Sequence, residues 1–433
     1  MLIKTILNSL EKFKSFVYGK IFFETIKNKT SLVIEILARK NSQGRCVICG
    51  KANPGYDVQP SRLYQYVPLW NIPVYFQYAP RRINCKEHGI HVESVPWSKG
   101  KEHLTQSYQL FLATWAKRLS WLEVSRVFST SWDNVFRSVR MIVDYGLSNR
   151  AWDNVCQIGV DEIAVFKGHK YLTCVYQLDK GCRRLLWCGK DRTVKTLLRF
   201  FMVFGKERAS RLEYVCSDMW KPYLKVIKKK CINALNILDR FHIAKKFNEA
   251  VDEVRREEVK KLKDDGEANV LAKGRFVLLK KVSNLTKIQT VKLSQLLKMN
   301  LTSIKAYLMK EDFQRFWQYQ KAGWADKFLE DWATRTMQSN IAPIKKVAKM
   351  LRRHKPLILN WFKAKGGLSS AAVEGLNNKA KLAMKKAYGF KSLNCLQIAL
   401  YHQFGKLKNR HQPTDSADEP TFFLFLSPKI ILK

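Results

Sequence analysis

The sequence predicts a multidomain α/β protein: an α/β core with an all-α insertion, preceded by a β-rich metal ribbon and a pair of short helices. Three observations carry this. Two ligand pairs, Cys46/Cys49 and Cys85/His88, bracket a stretch rich in Val, Tyr and Phe. Three strand-like runs then follow one another, "VCQIGVDEIAV", "HKYLTCVYQLD" and "RRLLWCGKD", before strands and helices alternate. Finally, residues 243–365 are basic and helical in period, and separate that core from one last helix.

A chain of 433 residues exceeds one ordinary domain. Its 46% hydrophobic content, with 24 Phe, 16 Tyr and 12 Trp, supplies real cores and argues against disorder. Lys and Arg number 78 against 36 Asp and Glu, a net charge of +42 that draws polyanions. The cations are spread along the chain, which favours an extended nucleic-acid surface; a ribosome-like or membrane-surface protein is the alternative. No run of about 18 uncharged apolar residues appears, so no membrane span is expected. The opening "MLIKTILNSLEKFKSFVYGKIFF" is broken by lysines and lacks a cleavage site, so it does not read as a secretory signal. Residues 1–40 are expected to be a lead segment. The ten cysteines are then expected in a reducing compartment, most as free thiols.

Over residues 41–100, Cys46, Cys49, Cys85 and His88 form two knuckles whose four N/S ligands suit tetrahedral Zn²⁺ in a structural site. A redox cysteine pair is the competing reading, and His91 and His103 are spare ligands. Arg81 and Arg82 beside the second knuckle are candidates to face phosphates. From 104 to 146 the spacing turns helical. Ser120 and Glu123 form a capping-box pattern, "STS" makes a turn, and Ser131 caps a second helix. This fits a helix-turn-helix with Trp132, Asn134 and Arg137 at the groove-facing start of the second helix. An ordinary helical hairpin fits as well.

In residues 152–242 the order is three antiparallel strands, a helix, then strands alternating with helices, which is that of a ribonuclease-H-like fold. Asp161 and Glu162 lie within its first strand, where alternation lets only one face the site. Asp218 ends the fourth strand. Carboxylates brought together there need a divalent cation, and Mg²⁺ (or Mn²⁺) is the natural one. Between Asp331 and Asp415, Glu374 is the one acidic residue. It is either a salt-bridge partner or a third metal-seeking acid. On a helix, Glu374, Asn377, Asn378 and Lys381 share a face, with Lys385 a turn further on. Asp239, in "LDRFH", competes with Asp218 for the second position. In the helical insertion, Trp317, Trp324, Trp332 and Trp361 read as core, and Arg352, Arg353 and Lys355 as candidates for backbone contact.

These residues resemble the Asp-Asp-Glu transposases of bacterial insertion sequences, specifically the insertion-sequence L-three family. The resemblance runs through "RCVICG", "VPLWNIPVYFQYAPRRINCKEHG", "LSWLEVSRVFSTSWDNVFRSV", "IGVDEI", "CSDMWKPY", "LDRFH" and "VEGLNNKAKLAMKKAYGF". It implies Asp161, Asp218 and Glu374 as the catalytic, Mg²⁺-binding triad, and Cys46, Cys49, Cys85 and His88 as zinc ligands. It also implies Mg²⁺-dependent phosphodiester hydrolysis and transesterification on double-stranded DNA, both terminal inverted repeats and target. A homodimer or larger assembly on DNA, in the cytoplasm and at the nucleoid of a bacterium, follows from it. Residues 366–405 would complete the core with its C-terminal helix. "SSAAVEG" departs from the family's usual Ser-Asn-Gly before the acid, and the tail, 406–433, does not look like family sequence. A silent DNA-binding regulator and a structure-specific nuclease remain the alternative functions.

Overall fold

The computed structural model describes residues 3–152, 154–166, 170–364, 371–387 and 389–408. The departure at "SSAAVEG" falls partly, and the tail mostly, outside them. The chain divides into two compact units, residues 1–150 with 384–433, and residues 151–383.

The first unit begins with α1 (Ile3–Leu10), β1 (Phe16–Ile26) and β2 (Lys29–Ala38). The short ladders β3 (Gly44–Arg45), β4 (Ala52–Asn53) and β5 (Gly55–Val58) come next, then β6 (Arg62–Leu69) and β7 (Ile72–Tyr78). Strands β8 (Arg81–Cys85) and β9 (Gly89–Val92) close the ribbon. One sheet has the order β1-β2-β7-β6 and a second the order β5-β8-β9. The segment 1–40, expected as a lead, therefore supplies a helix and half of a four-stranded sheet. Two tight turns make its hairpins, Lys27–Asn28 and Trp70–Asn71, all four residues at positive φ. Strands β2 and β7 run parallel, Leu32 opposite Val74. Trp97 anchors the core beneath, edge-on to Phe16, Tyr64 and Tyr78.

Helices α2 (Gln106–Trp115), α3 (Trp121–Val127) and α4 (Trp132–Ser148) follow. The Ser120–Glu123 capping box forms, and Ser131 caps α4 by accepting from the Asn134 N–H.

The second unit holds β10 (Gln157–Phe166), β11 (Lys170–Gln177) and β12 (Arg184–Lys190), antiparallel neighbours. After α5 (Val194–Phe204) and α6 (Lys206–Ser210) come β13 (Tyr214–Ser217), α7 (Lys221–Lys230) and β14 (Leu235–Leu238). The sheet order is β12-β11-β10-β13-β14, with β13 parallel to both β10 and β14. Val160 and Val175 pack one face against Leu197, Phe200, Phe204 and Tyr223 of α5 and α7.

An all-helical stretch then runs through α8 (Arg240–Asp264), α9 (Arg275–Leu279), α10 (Lys287–Leu297), α11 (Thr302–Gln314), α12 (Ala322–Gln338) and α13 (Ala342–Lys363). Its core gathers Phe247, Phe313, Phe316 and Trp332. Trp332 is core, and Trp317 and Trp361 are partly buried against it. Trp324, expected there too, is instead 60% exposed, because its place near the start of α12 lies off the face that buries Ala325 and Leu329.

Helix α14 (Ala371–Lys386) ends this unit at Ala383. Helix α15 (Leu393–Phe404), expected with the core, belongs to the first unit, where Gln403 donates to the carbonyls of Ala116 and Lys117. No helix among the described residues is long and apolar enough to cross a membrane.

Candidate active site and metal centre

Strand register brings the acids of the second unit together. Gly159 of β10 pairs with Cys216 of β13, so two residues further on Asp161 and Asp218 stand level. Ser217 pairs with Leu238 of β14, so Asp218 and Asp239 are level one step past that ladder. Three carboxylates thus line up, Asp161 in the middle of β10 and Asp218 and Asp239 just past the carboxyl ends of the parallel strands β13 and β14.

The two adjacent acids of β10 leave opposite faces. Asp161 lies opposite Cys174 and Glu162 opposite Thr173. On the first face, Asp161 accepts 2.5 Å from Asn377 Nδ2 of α14 and 2.8 Å from the Glu162 N–H. Asn377 is buried, and its Oδ1 accepts 2.6 Å from the buried Tyr176 hydroxyl. Burial pushes the Asp161 carboxyl up; the Glu162 N–H and the His242 charge work against this, and the charges of Asp239 and Asp218 add to it.

On the other face, Arg192 bridges two acids. Its Nη2 donates 2.8 Å to Asp218, and its Nε lies 2.9 Å from Glu162 as a charge contact. The guanidinium stacks 4.6 Å from the Trp220 ring centroid, and the Trp220 N–H donates to Asp218. Burial, then repulsion from Asp218, pushes Glu162 up to about 7 despite Arg192. Asp239 caps α8 through the Phe241 N–H and holds His242 Nδ1 at 2.8 Å, which raises the imidazole pKa. Neither Arg192 nor Tyr176 stands out in the sequence. Arg192 is one cation in "KDRTVK" and Tyr176 one aromatic in a buried strand; both are recruited across the fold.

Glu374 follows Val373, whose side chain packs so closely on Gly159 that a Cβ there would collide with it. It precedes Asn377 by three residues, so it flanks the face of α14 that meets Asp161. It is half-buried, and among the described residues it takes part in no ion pair. The face expected of this helix is split: Asn377 turns to the sheet while Asn378, Lys381 and Lys385 are exposed. The acids do not converge into one tight cage. Arg192 lies between Glu162 and Asp218, and Asp161 turns toward Asn377.

The one group of three or more potential ligands gathered within 4.8 Å, among the described residues, is Cys46, Cys49, Cys85 and His88. Cys49 and Cys85 Sγ are 3.8 Å apart, and His88 Nδ1 lies 3.6 Å from Cys85 and 3.8 Å from Cys46. Tetrahedral bonds of about 2.3 Å to sulfur and about 2.0 Å to nitrogen require separations of roughly 3.8 and 3.5 Å. His91 Nε2 sits 3.0 Å from Cys46 Sγ. Burial raises the Cys46 thiol, but the N–H groups of Cys49 and Ile48, with His91, bring it down to about 6.

The cations expected to be free for phosphate are largely spoken for. Arg81 forks onto buried Glu93 and donates to the Ser42 carbonyl, and Arg82 pairs with Asp57. Arg137 bonds Asn134 Oδ1 and reaches Glu102 at 3.2 Å, while Asn134 also donates to Thr130. Trp132 stacks on Phe136 and is covered by Lys391. In the insertion, Arg352 and Lys355 pair with Glu330, and Arg353 is exposed.

The chain thus carries an acid-lined α/β unit with a long helical insertion and, in its other unit, a Cys/His ligand set. A family profile described as transposase matches residues 158–400, more than half of the 433. The chain belongs to the ISL3 family of insertion-sequence transposases. It is 27% identical over 349 residues to the transposase for insertion sequence element IS1001 of Bordetella parapertussis, across 80% of this chain and 85% of that protein. It is 28% identical over 381 residues to the transposase for insertion sequence element IS1557 of Mycobacterium tuberculosis, across 82% and 84% respectively.

Proposed function

We propose that the protein binds the terminal inverted repeats of its element and performs strand cleavage and strand transfer with an Asp-Asp-Glu site of Asp161, Asp218 and Glu374. The observation that carries this is the Asn377–Asp161 hydrogen bond. It ties the helix bearing Glu374 to the strand bearing the first acid, across 216 residues of sequence. The sheet order β12-β11-β10-β13-β14, with its first three strands antiparallel, supports a ribonuclease-H-like core. The capped α3–α4 pair supports a helix-turn-helix over 104–146.

The donor set suits a hard divalent cation: carboxylate oxygens only, Asp161 and Asp218 level on adjacent strands and Glu374 on the helix bonded to Asp161, with Asp161 pushed toward protonation by burial and by its neighbours. Asp161, Asp218 and Glu374 would hold Mg²⁺ or Mn²⁺, which when bound supplies Lewis-acid polarisation and a neutralising charge. The protein's own part is positional. Asn377 fixes one oxygen of Asp161, and the Trp220 N–H and Arg192 fix Asp218. A water oxygen attacks phosphorus at the element end and the P–O3′ bond breaks; the freed 3′-hydroxyl then attacks a target phosphorus, its proton is lost, and the target strand's own O3′ leaves as a new 3′-hydroxyl. Two ends must be joined, so a dimer or larger assembly on DNA is expected. Cys46, Cys49, Cys85 and His88 would hold a structural zinc.

The test uses the purified chain and a labelled duplex carrying its terminal repeat, in Mg²⁺ or Mn²⁺, beside Glu374→Gln. The reading requires cleavage and joining that the variant loses while it still binds. Binding without cleavage by the unaltered chain would assign a silent regulator, and cutting without joining a nuclease.

A further inference from the structure

We infer that the β1–β2 hairpin tip, the start of β7 and the α3–α4 turn form one groove that grips the phosphate backbone of duplex DNA. The inference rests on the transposase reading above and gives it a contact surface. Because β2 and β7 are parallel and each starts directly after its turn, Lys27–Asn28 and Trp70–Asn71 lie at the same end of the sheet. There the first unit has a groove of about 410 Å³, lined by Lys27, Lys29, Tyr75, Arg126, Ser129 and Thr130 among others. Lys29 Nζ donates 2.6 Å to Ser129 Oγ, and Ser129 is held at φ 51° in the turn before α4.

Charge separates this groove from the cations the sequence singles out. Arg81, Arg82 and Arg137 are each neutralised by a carboxylate. Lys27, Lys29 and Arg126 are exposed, and among the described residues none of them is in an ion pair. Glu123, one turn before Arg126, accepts from the Ser120 N–H, and this bond first, with the Lys386 and Arg126 charges after it, lowers its carboxyl pKa without an ion pair forming among the described residues. Three exposed cations outside any ion pair, interleaved with hydroxyls, suit phosphate oxygens, which take both charge and hydrogen bonds. Groups from a sheet and from a turn between helices, side by side, suit a rod-like polyanion running past both.

Phosphate contacts release counterions, so they are read in salt dependence rather than in sequence preference. The experiment measures fluorescence anisotropy of the full chain on its terminal-repeat duplex and on a scrambled duplex, between about 50 and 200 mM salt. It compares the unaltered chain with the triple variant Lys27→Gln, Lys29→Gln, Arg126→Gln. A control, Lys260→Gln, Lys261→Gln, Lys263→Gln on α8, has the same net charge. The groove variant should lose roughly 0.9 of slope in log K against log salt for each contact removed, up to about 3, equally on both duplexes. The control should keep the original slope, and matching circular dichroism melts verify folding. Equal slopes in the groove variant and the control overturn the groove. Failure of the unaltered chain to bind either duplex overturns the transposase reading along with it.

Discussion

Replacing Asn377 with leucine cuts the link between α14 and the acid-bearing sheet while keeping a side chain of similar size. The substitution strips a donor from the half-buried Asp161 and an acceptor from the buried Tyr176 hydroxyl. A buried polar group left without its partner costs about 1–3 kcal/mol. The Tyr176 hydroxyl at about 2 kcal/mol, and the half-buried Asp161, which keeps the Glu162 N–H, at about 1 kcal/mol, sum to roughly 3 kcal/mol against docking of α14. Each 1.4 kcal/mol is tenfold in an equilibrium, so amides of α14 should exchange with solvent about 100-fold faster if they open locally. The assay is hydrogen exchange by mass spectrometry, comparing α14 peptides with those of β13, which the change does not touch. Tyr176→Phe alone should cost about 1 kcal/mol, and adding it to the Asn377→Leu variant should cost almost nothing, because its partner has gone. Cleavage should fall with the docking, since Glu374 lies one turn from the broken bond. Unaltered α14 exchange in Asn377→Leu, or additive effects in the double variant, would refute the role given to this contact.

Two further outcomes follow from buried groups in the first unit. His402 is buried, its Nδ1 finds no hydrogen-bond partner there, and burial, then the Lys117 charge, lowers its pKa to about 3. The unfolded chain takes up this proton near pH 6.5 and the folded chain does not, so the stability is whole above 6.5 and falls as pH drops toward 3. The ceiling is roughly 4–5 kcal/mol, and His402→Leu should flatten the thermal-midpoint profile between about pH 6 and 4; identical profiles would count against it. For the zinc proposed at the Cys/His site, elemental analysis should find about one per chain in the unaltered protein, and Cys85→Ser should abolish it and leave the Cys46 and Cys49 thiols open to alkylation. Unchanged metal content would transfer the site to other ligands, His91 being nearest to Cys46.

Elements whose causes are local could be read from the chain alone. The strand runs of the second unit stand where alternation and apolar content set them, and the antiparallel meander of the first three was legible from the short joints between them. The caps at Ser120 and Ser131 depend on residues three apart, and both form. Spacing within each knuckle is equally local, so the Cys and His pairs could be read before their meeting was seen. The positions of Asp161, Asp218 and Glu374 could be named because a resemblance carried them.

Which group meets which was settled only by the folded chain. Arg81, Arg82 and Arg137 looked free in sequence because their carboxylates lie 12, 25 and 35 residues away. Asp161 and Glu162 both gained partners, because a strand offers two faces and helices pack on each. Residues 16–38 form a hairpin whose fate depends on pairing with β7, which no periodicity announces. Arg192 stands between two acids only once β12 and β13 lie in one sheet. Local structure follows from interactions a few residues apart, which a sequence displays directly. Charge pairing and strand partnership follow from register between distant segments, and register exists only when the chain has closed on itself.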